Sequence, residues 1–166
     1  MSDPLDMKDL VGHPAVREMF TERSAAHREL GIEFVDSNDQ GALMRVPFQA
    51  DLARSTSNLS LHAGAVMTAI DSAMGMATML ALEEMSSLAT LELRYDELRD
   101  PQPEQEVFVK ARCESISDGI AYLTGTASDH VGEFAHAVAR FILTPAVEGS
   151  FFETVMAMLN ENEVSQ

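Results

Sequence analysis

The chain has 166 residues, 46% hydrophobic and 23% charged, with a formal net charge of −16 and one cysteine. That length suits one domain with its own core, and the lone Cys113 excludes an intrachain disulfide framework or a cysteine metal cluster. Two lysines and nine arginines against 27 acids argue against a nucleic-acid partner, because neutralising phosphates needs clustered cations.

The opening "MSDPLDMKDLVGHPAV" has no basic flank before an apolar run, so no secretory signal is predicted and the expected compartment is the reducing cytoplasm. A helix is predicted over about 14–30, with Pro14 in its first turn, Val16, Met19 and Phe20 on one face, and Gly31 as its stop. Two strands, "GIEFVDS" and "GALMRVPF", flank the turn "SNDQG". The stretch "QADLARSTSNLS" reads as a polar loop leading into a helix from about His62 to Glu83.

That helix is unusual. "NLSLHAGAVMTAIDSAMGMATML", residues 58–80, holds a single formally charged side chain, Asp71. Its length raises a membrane span, but Asp71, His62, two glycines and several hydroxyls interrupt it, and no basic cluster anchors either end. A helix apolar on nearly all sides and buried inside protein is the better reading, with no membrane partner.

Four strands are predicted next: "LATLELRYDEL", "EQEVFVKARCESI", "GIAYLTGTASD" and "GEFAHAVARFILT". The turn material "RDPQP", "SDG" and "DHVG" separates them. A short amphipathic helix over about 150–161 follows, with Ser150 and Glu153 at capping-box spacing. Hairpin-length links imply an antiparallel sheet. The fold class is therefore α+β, one domain over 1–166 with its core at about 31–145. A curved antiparallel sheet wraps a long central helix, with extra helices at both ends.

In this order the chain resembles the hotdog-fold acyl-CoA thioesterases of the phenylacetate-pathway type, in the 4-hydroxybenzoyl-CoA thioesterase superfamily. The resemblance covers roughly residues 28 to 144. The family motif His-Gly-Gly, with an acid nine positions after the His, is matched by "LHAGAVMTAID": His62, Ala63, Gly64 and Asp71. A second motif, Thr-x-Asp-Leu-x-x-x-Tyr-Leu-Arg-Pro, is similar to "TLELRYDELRDP" from Thr90 to Pro101. The departures are Ala63 for the first glycine, Glu97 for the tyrosine, Asp100 inserted before Pro101, and Thr56 where some relatives carry Asn.

The resemblance implies hydrolysis of an acyl-CoA thioester, with coenzyme A as part of the substrate, no separate cofactor and no metal. Such hydrolysis needs a donor for the developing oxyanion and a base or nucleophile at the carbonyl. The unpaired N–H groups at the start of the central helix, near Ala63 and Gly64, suit the first task; Asp71 suits the second. His62 is a candidate for orienting the helix start or touching substrate, and Thr90 matches a water-positioning hydroxyl in some relatives. In a regular strand Thr90 would point outward with Glu92 and Arg94.

Ala63 and Asp71 lie eight residues apart, roughly 12 Å along a helix axis. One helix does not easily bring both to a single carbonyl. Two antiparallel copies would, so a homodimer or dimer of dimers with two composite sites is expected. The competing readings are a non-catalytic acyl-CoA-binding hotdog protein and, less favoured, a hotdog hydratase or dehydratase, whose histidine usually stands beside a Pro-rich turn or five residues after the Asp, where this chain has Met76.

Overall fold

The computed structural model describes residues 24–38, 41–82 and 86–145. The helix predicted over 150–161, and the part of the N-terminal helix before Ser24, lie outside the described residues. Helix α1 is Ala25–Leu30. A helix running unbroken from residue 14 through to 30 is not what forms, because Ser24 is extended (φ −76, ψ 112) and its hydroxyl caps the His27 N–H. Serine at that position satisfies an orphan donor and begins a helix instead of continuing one. Gly31, left-handed at φ 64, closes α1.

Strands β1 (Glu33–Asn38) and β2 (Gly41–Val46) form the first hairpin. The stretch read as a loop contains a single 3-10 turn, Ala50–Leu52, and a small hairpin of β3 (Ala53–Ser55) and β4 (Asn58–Leu61). Helix α2 spans Ala63–Leu80, a little short of the expected Glu83. Then come β5 (Ser86–Glu97), β6 (Val107–Ser117), β7 (Ile120–Asp129) and β8 (Gly132–Pro145). Six strands join in one antiparallel sheet of order β1-β2-β6-β7-β8-β5.

The alternation of β2 and β6 explains where the helix goes. Ala42, Met44, Val46, Val107, Val109 and Ala111 are buried on one face, while Arg45 and Lys110 lie on the other. Helix α2 packs on that apolar face, chiefly over β2 and β6, then β7, with little contact to β5 and β8. Val66, Ile70, Met74 and Met76 are fully buried, each worth about 1.5–3 kcal/mol of transfer free energy. Gly125 in β7 makes the close approach possible. A Cβ there would stand 2.9 Å from the Met74 methyl and 3.3 Å from the Lys110 carbonyl oxygen.

By length and composition α2 would pass for a membrane span, yet 61% of it is buried inside the fold. The sheet takes the place that lipid would fill.

The far end of the domain is locked by one ion pair. Asp129, its side chain fully covered, receives both arms of the Arg99 guanidinium at 2.8 Å. Its carboxylate also accepts from the N–H groups of Gln102, Val131 and Gly132. These donors, Arg99 first, hold the Asp129 carboxyl far below the usual carboxylate range despite its burial.

Candidate active site

Eleven of the eighteen residues of α2 are buried, and the more open ones form a pattern. Gly64 and Met67 are exposed, and Thr68 and Asp71 are half-buried. These positions follow one another at i, i+3, i+4 and i+7, so they make a single stripe along one side of the helix. Asp71 is thus tolerated in an apolar helix because it lies on a flank that the fold leaves partly open. The stripe ends there: Gly75, one turn on, packs against Leu88 and Phe141.

The structure brings Thr90 to Asp71. Its hydroxyl donates to Asp71 Oδ1 at 2.8 Å. Simple alternation pointed Thr90 away from the helix, and a β-bulge accounts for the difference. Thr90 pairs with Phe141 and Glu92 with Arg140, so two residues of β5 span one step of β8 and Leu91 is the extra residue. Before the bulge Leu88 and Thr90 share the inner face; after it Leu93 and Tyr95 do, opposite Ala139 and Ala137. Glu92 turns outward and pairs with Arg140.

At the start of α2, His62 is the N-cap, and its Nδ1 accepts from the Gly64 N–H at 3.0 Å. A cap of this kind uses the tautomer whose hydrogen is on Nε2. The Ala65 N–H bonds the His62 carbonyl at 3.0 Å. The Ala63 N–H has no acceptor among the described residues. Of the two amides read from the sequence, Gly64 is occupied by the cap and Ala63 stands open at the positive end of the helix dipole.

A residue that the sequence reading passed over sits behind that turn. Arg54 in β3 donates its Nε to the Leu61 carbonyl at 3.3 Å, bonds Glu97, and lies 3.4 Å from Asp100. The Tyr95 hydroxyl donates to the same Glu97 at 3.2 Å, and burial, then the nearby Glu97 charge, push the tyrosine pKa up. Glu97 and Asp100, the two acids that depart from the family pattern, are therefore the anchors of Arg54. Nothing in spacing links residues 54 and 97; only the β3–β4 hairpin brings them together. Thr56 is exposed in that hairpin's turn.

The basic strand residues are mostly committed. Arg94 pairs with Asp96, Arg99 with Asp129, Arg112 with Glu114 and Arg140 with Glu92. Cys113 is half-buried, its thiol pKa raised mainly by that burial.

No protein-family model matches the chain, and no curated protein matches it. Solved structures do. A thioesterase family protein from Silicibacter pomeroyi is 22% identical, with a TM-score of 0.68, over 80% of this chain and 97% of that one. A thioesterase from Haemophilus influenzae, 16% identical, gives 0.71 over 81% and 91%. A Shewanella oneidensis protein related to the thioesterase superfamily, also 16% identical, gives 0.71 over 86% and 99%. At these identities it is the architecture that is shared, and the chain has the hotdog-like α+β fold of thioesterase-superfamily structures.

Proposed function

We propose that this chain hydrolyses acyl-CoA thioesters, with Asp71 as the general base and the Ala63 N–H as the oxyanion donor. The observation that carries the reading is the Thr90–Asp71 hydrogen bond, formed on an open stripe of a mostly buried helix. The Thr90 hydroxyl holds Oδ1 and leaves Oδ2 for a water. Asp71 takes a proton as that water attacks the thioester carbon; the tetrahedral oxyanion collapses, the C–S bond breaks, and Asp71 returns the proton to the departing sulfur, which leaves as the thiol.

The donor and the base sit eight residues apart on one helix, roughly 12 Å, so the site is composite. The inner side of β5 supports this, since Thr90 is exposed beside a helix that barely covers that strand. An antiparallel second copy of α2 against this surface would set Asp71 of each protomer near the Ala63 amide of the other, in a dimer or dimer of dimers.

The test is release of free thiol from a panel of acyl-CoAs, beside Asp71→Asn. Loss of the base should cost about 10²–10⁴-fold in kcat while the fold is retained. Absence of turnover across the panel, or an Asp71→Asn rate equal to wild type, defeats the proposal. Binding of acyl-CoA without turnover would identify a binding protein instead. A single turnover in ¹⁸O-water separates the two roles of Asp71, because label enters its carboxylate only if Asp71 is the nucleophile.

A further inference from the structure

We infer that Arg54 is a positioning residue for the oxyanion donor, acting through the Leu61–His62 peptide; its kinetic consequence rests on the function proposed above. That peptide is gripped at both ends. Its carbonyl accepts from Arg54 Nε at 3.3 Å, and its N–H, that of His62, donates to the Leu52 carbonyl at 2.8 Å. The next peptide along carries the Ala63 N–H. Its direction is set by the His62 dihedrals (φ −66, ψ 137), which turn on the peptide that Arg54 holds.

The Arg54 side chain is 25% exposed, and the Glu97 that it bonds is 22% exposed. A planar guanidinium can bond a carbonyl on one edge and a carboxylate on another at once; an ammonium lacks that fork. The anchor is itself fixed. Glu97 receives the Tyr95 hydroxyl, Asp100 receives Asn58 Nδ2 at 3.0 Å, and the Ser60 hydroxyl donates to the Pro101 carbonyl at 2.7 Å. Strand β5 therefore holds both halves of the candidate site: directly through Thr90 at Asp71, and through Glu97 and Arg54 at the start of α2.

The experiment compares Arg54→Met, Arg54→Lys and Glu97→Gln with wild type for kcat, KM and Tm, and follows exchange of the His62 and Gly64 amides. Arg94→Met, which removes an exposed pair on the outer sheet face, is the control for loss of an arginine. Losing one charge-assisted hydrogen bond that orients a donor should lower kcat about tenfold in Arg54→Met, with KM moving less than about threefold. Arg54→Lys should not rescue, Glu97→Gln should fall between, and the control should match wild type. A wild-type kcat in Arg54→Met, or an effect confined to KM, overturns the inference. If wild type releases no thiol from any acyl-CoA, the thioesterase reading falls and exchange alone decides. The His62 and Gly64 amides, both hydrogen-bonded in the fold, should then exchange at least about tenfold faster in Arg54→Met with Met74 unchanged, and equal rates overturn the positioning role. Should Arg54→Met fail to fold, Glu97→Gln carries the same readouts.

Discussion

Thr90→Val is the sharpest probe of the candidate site. Valine keeps the β-branched shape and strand preference of threonine, so the packing beside Phe141 is preserved and only the hydroxyl is removed. The lost bond runs from a hydroxyl to a carboxylate oxygen at 2.8 Å. Hydrogen bonds to charged groups contribute about 1.5–3 kcal/mol. Thr90 is exposed and Asp71 only half-buried, so water competes and the lower end of that range applies. At 1.36 kcal/mol per factor of ten, kcat/KM should fall by about tenfold, with unfolding free energy lowered by no more than about 1.5 kcal/mol. Thiol-release kinetics and urea unfolding of both proteins measure the two quantities. An unchanged kcat/KM would mean the bond does not orient Asp71 for chemistry. A loss beyond a thousandfold would mean that Thr90 touches the reacting atoms itself.

Two further outcomes follow from the caps and pairs. His62→Ala removes the imidazole that caps Gly64 and should cost about 1 kcal/mol, read as a Tm decrease of about 2–4 °C, whereas His62→Asn should restore most of it; equal Tm values for all three would refute the capping role. Asp129→Asn should destabilise the fold by about 2–4 kcal/mol at neutral pH, measured by urea unfolding across pH. Because folding depresses the Asp129 pKa, its contribution is complete above the unfolded carboxylate value of about 3.9 and is lost as pH falls toward the folded one. The gap between wild type and variant should therefore be constant from pH 7 to 5 and shrink in stronger acid; a gap that widened on acidification would contradict the assignment.

Much of the architecture could be read from periodicity. The two-residue alternation in β2, β6, β7 and β8, and the apolar residues on nearly all sides of α2, contain the packing instructions directly. Asp71 stood out because burial makes a charged side chain conspicuous. The rest depended on contacts that no local pattern encodes. Whether Thr90 faces the helix turned on one extra residue in β5, and strand period alone points it the wrong way. The apolar pattern places Ser24 inside a helix, although a hydroxyl there can also begin one. Arg54 lay in what looked like a polar connection; its partners, Glu97 and Asp100, are more than forty residues on, and only tertiary structure joins them. His62 was legible as a helix-start residue, but not which amide it would take.

The extra residue in β5 has an evolutionary consequence. Leu91 is 55% exposed, so many residue types should serve there equally well. Deleting it would be another matter. The hydroxyl upstream and the apolar residues downstream could no longer share one side of the strand, and either the site or the core would be turned to solvent. At position 91 selection should act on chain length and ignore chemistry, so aligned relatives should vary freely in letter while never showing a gap.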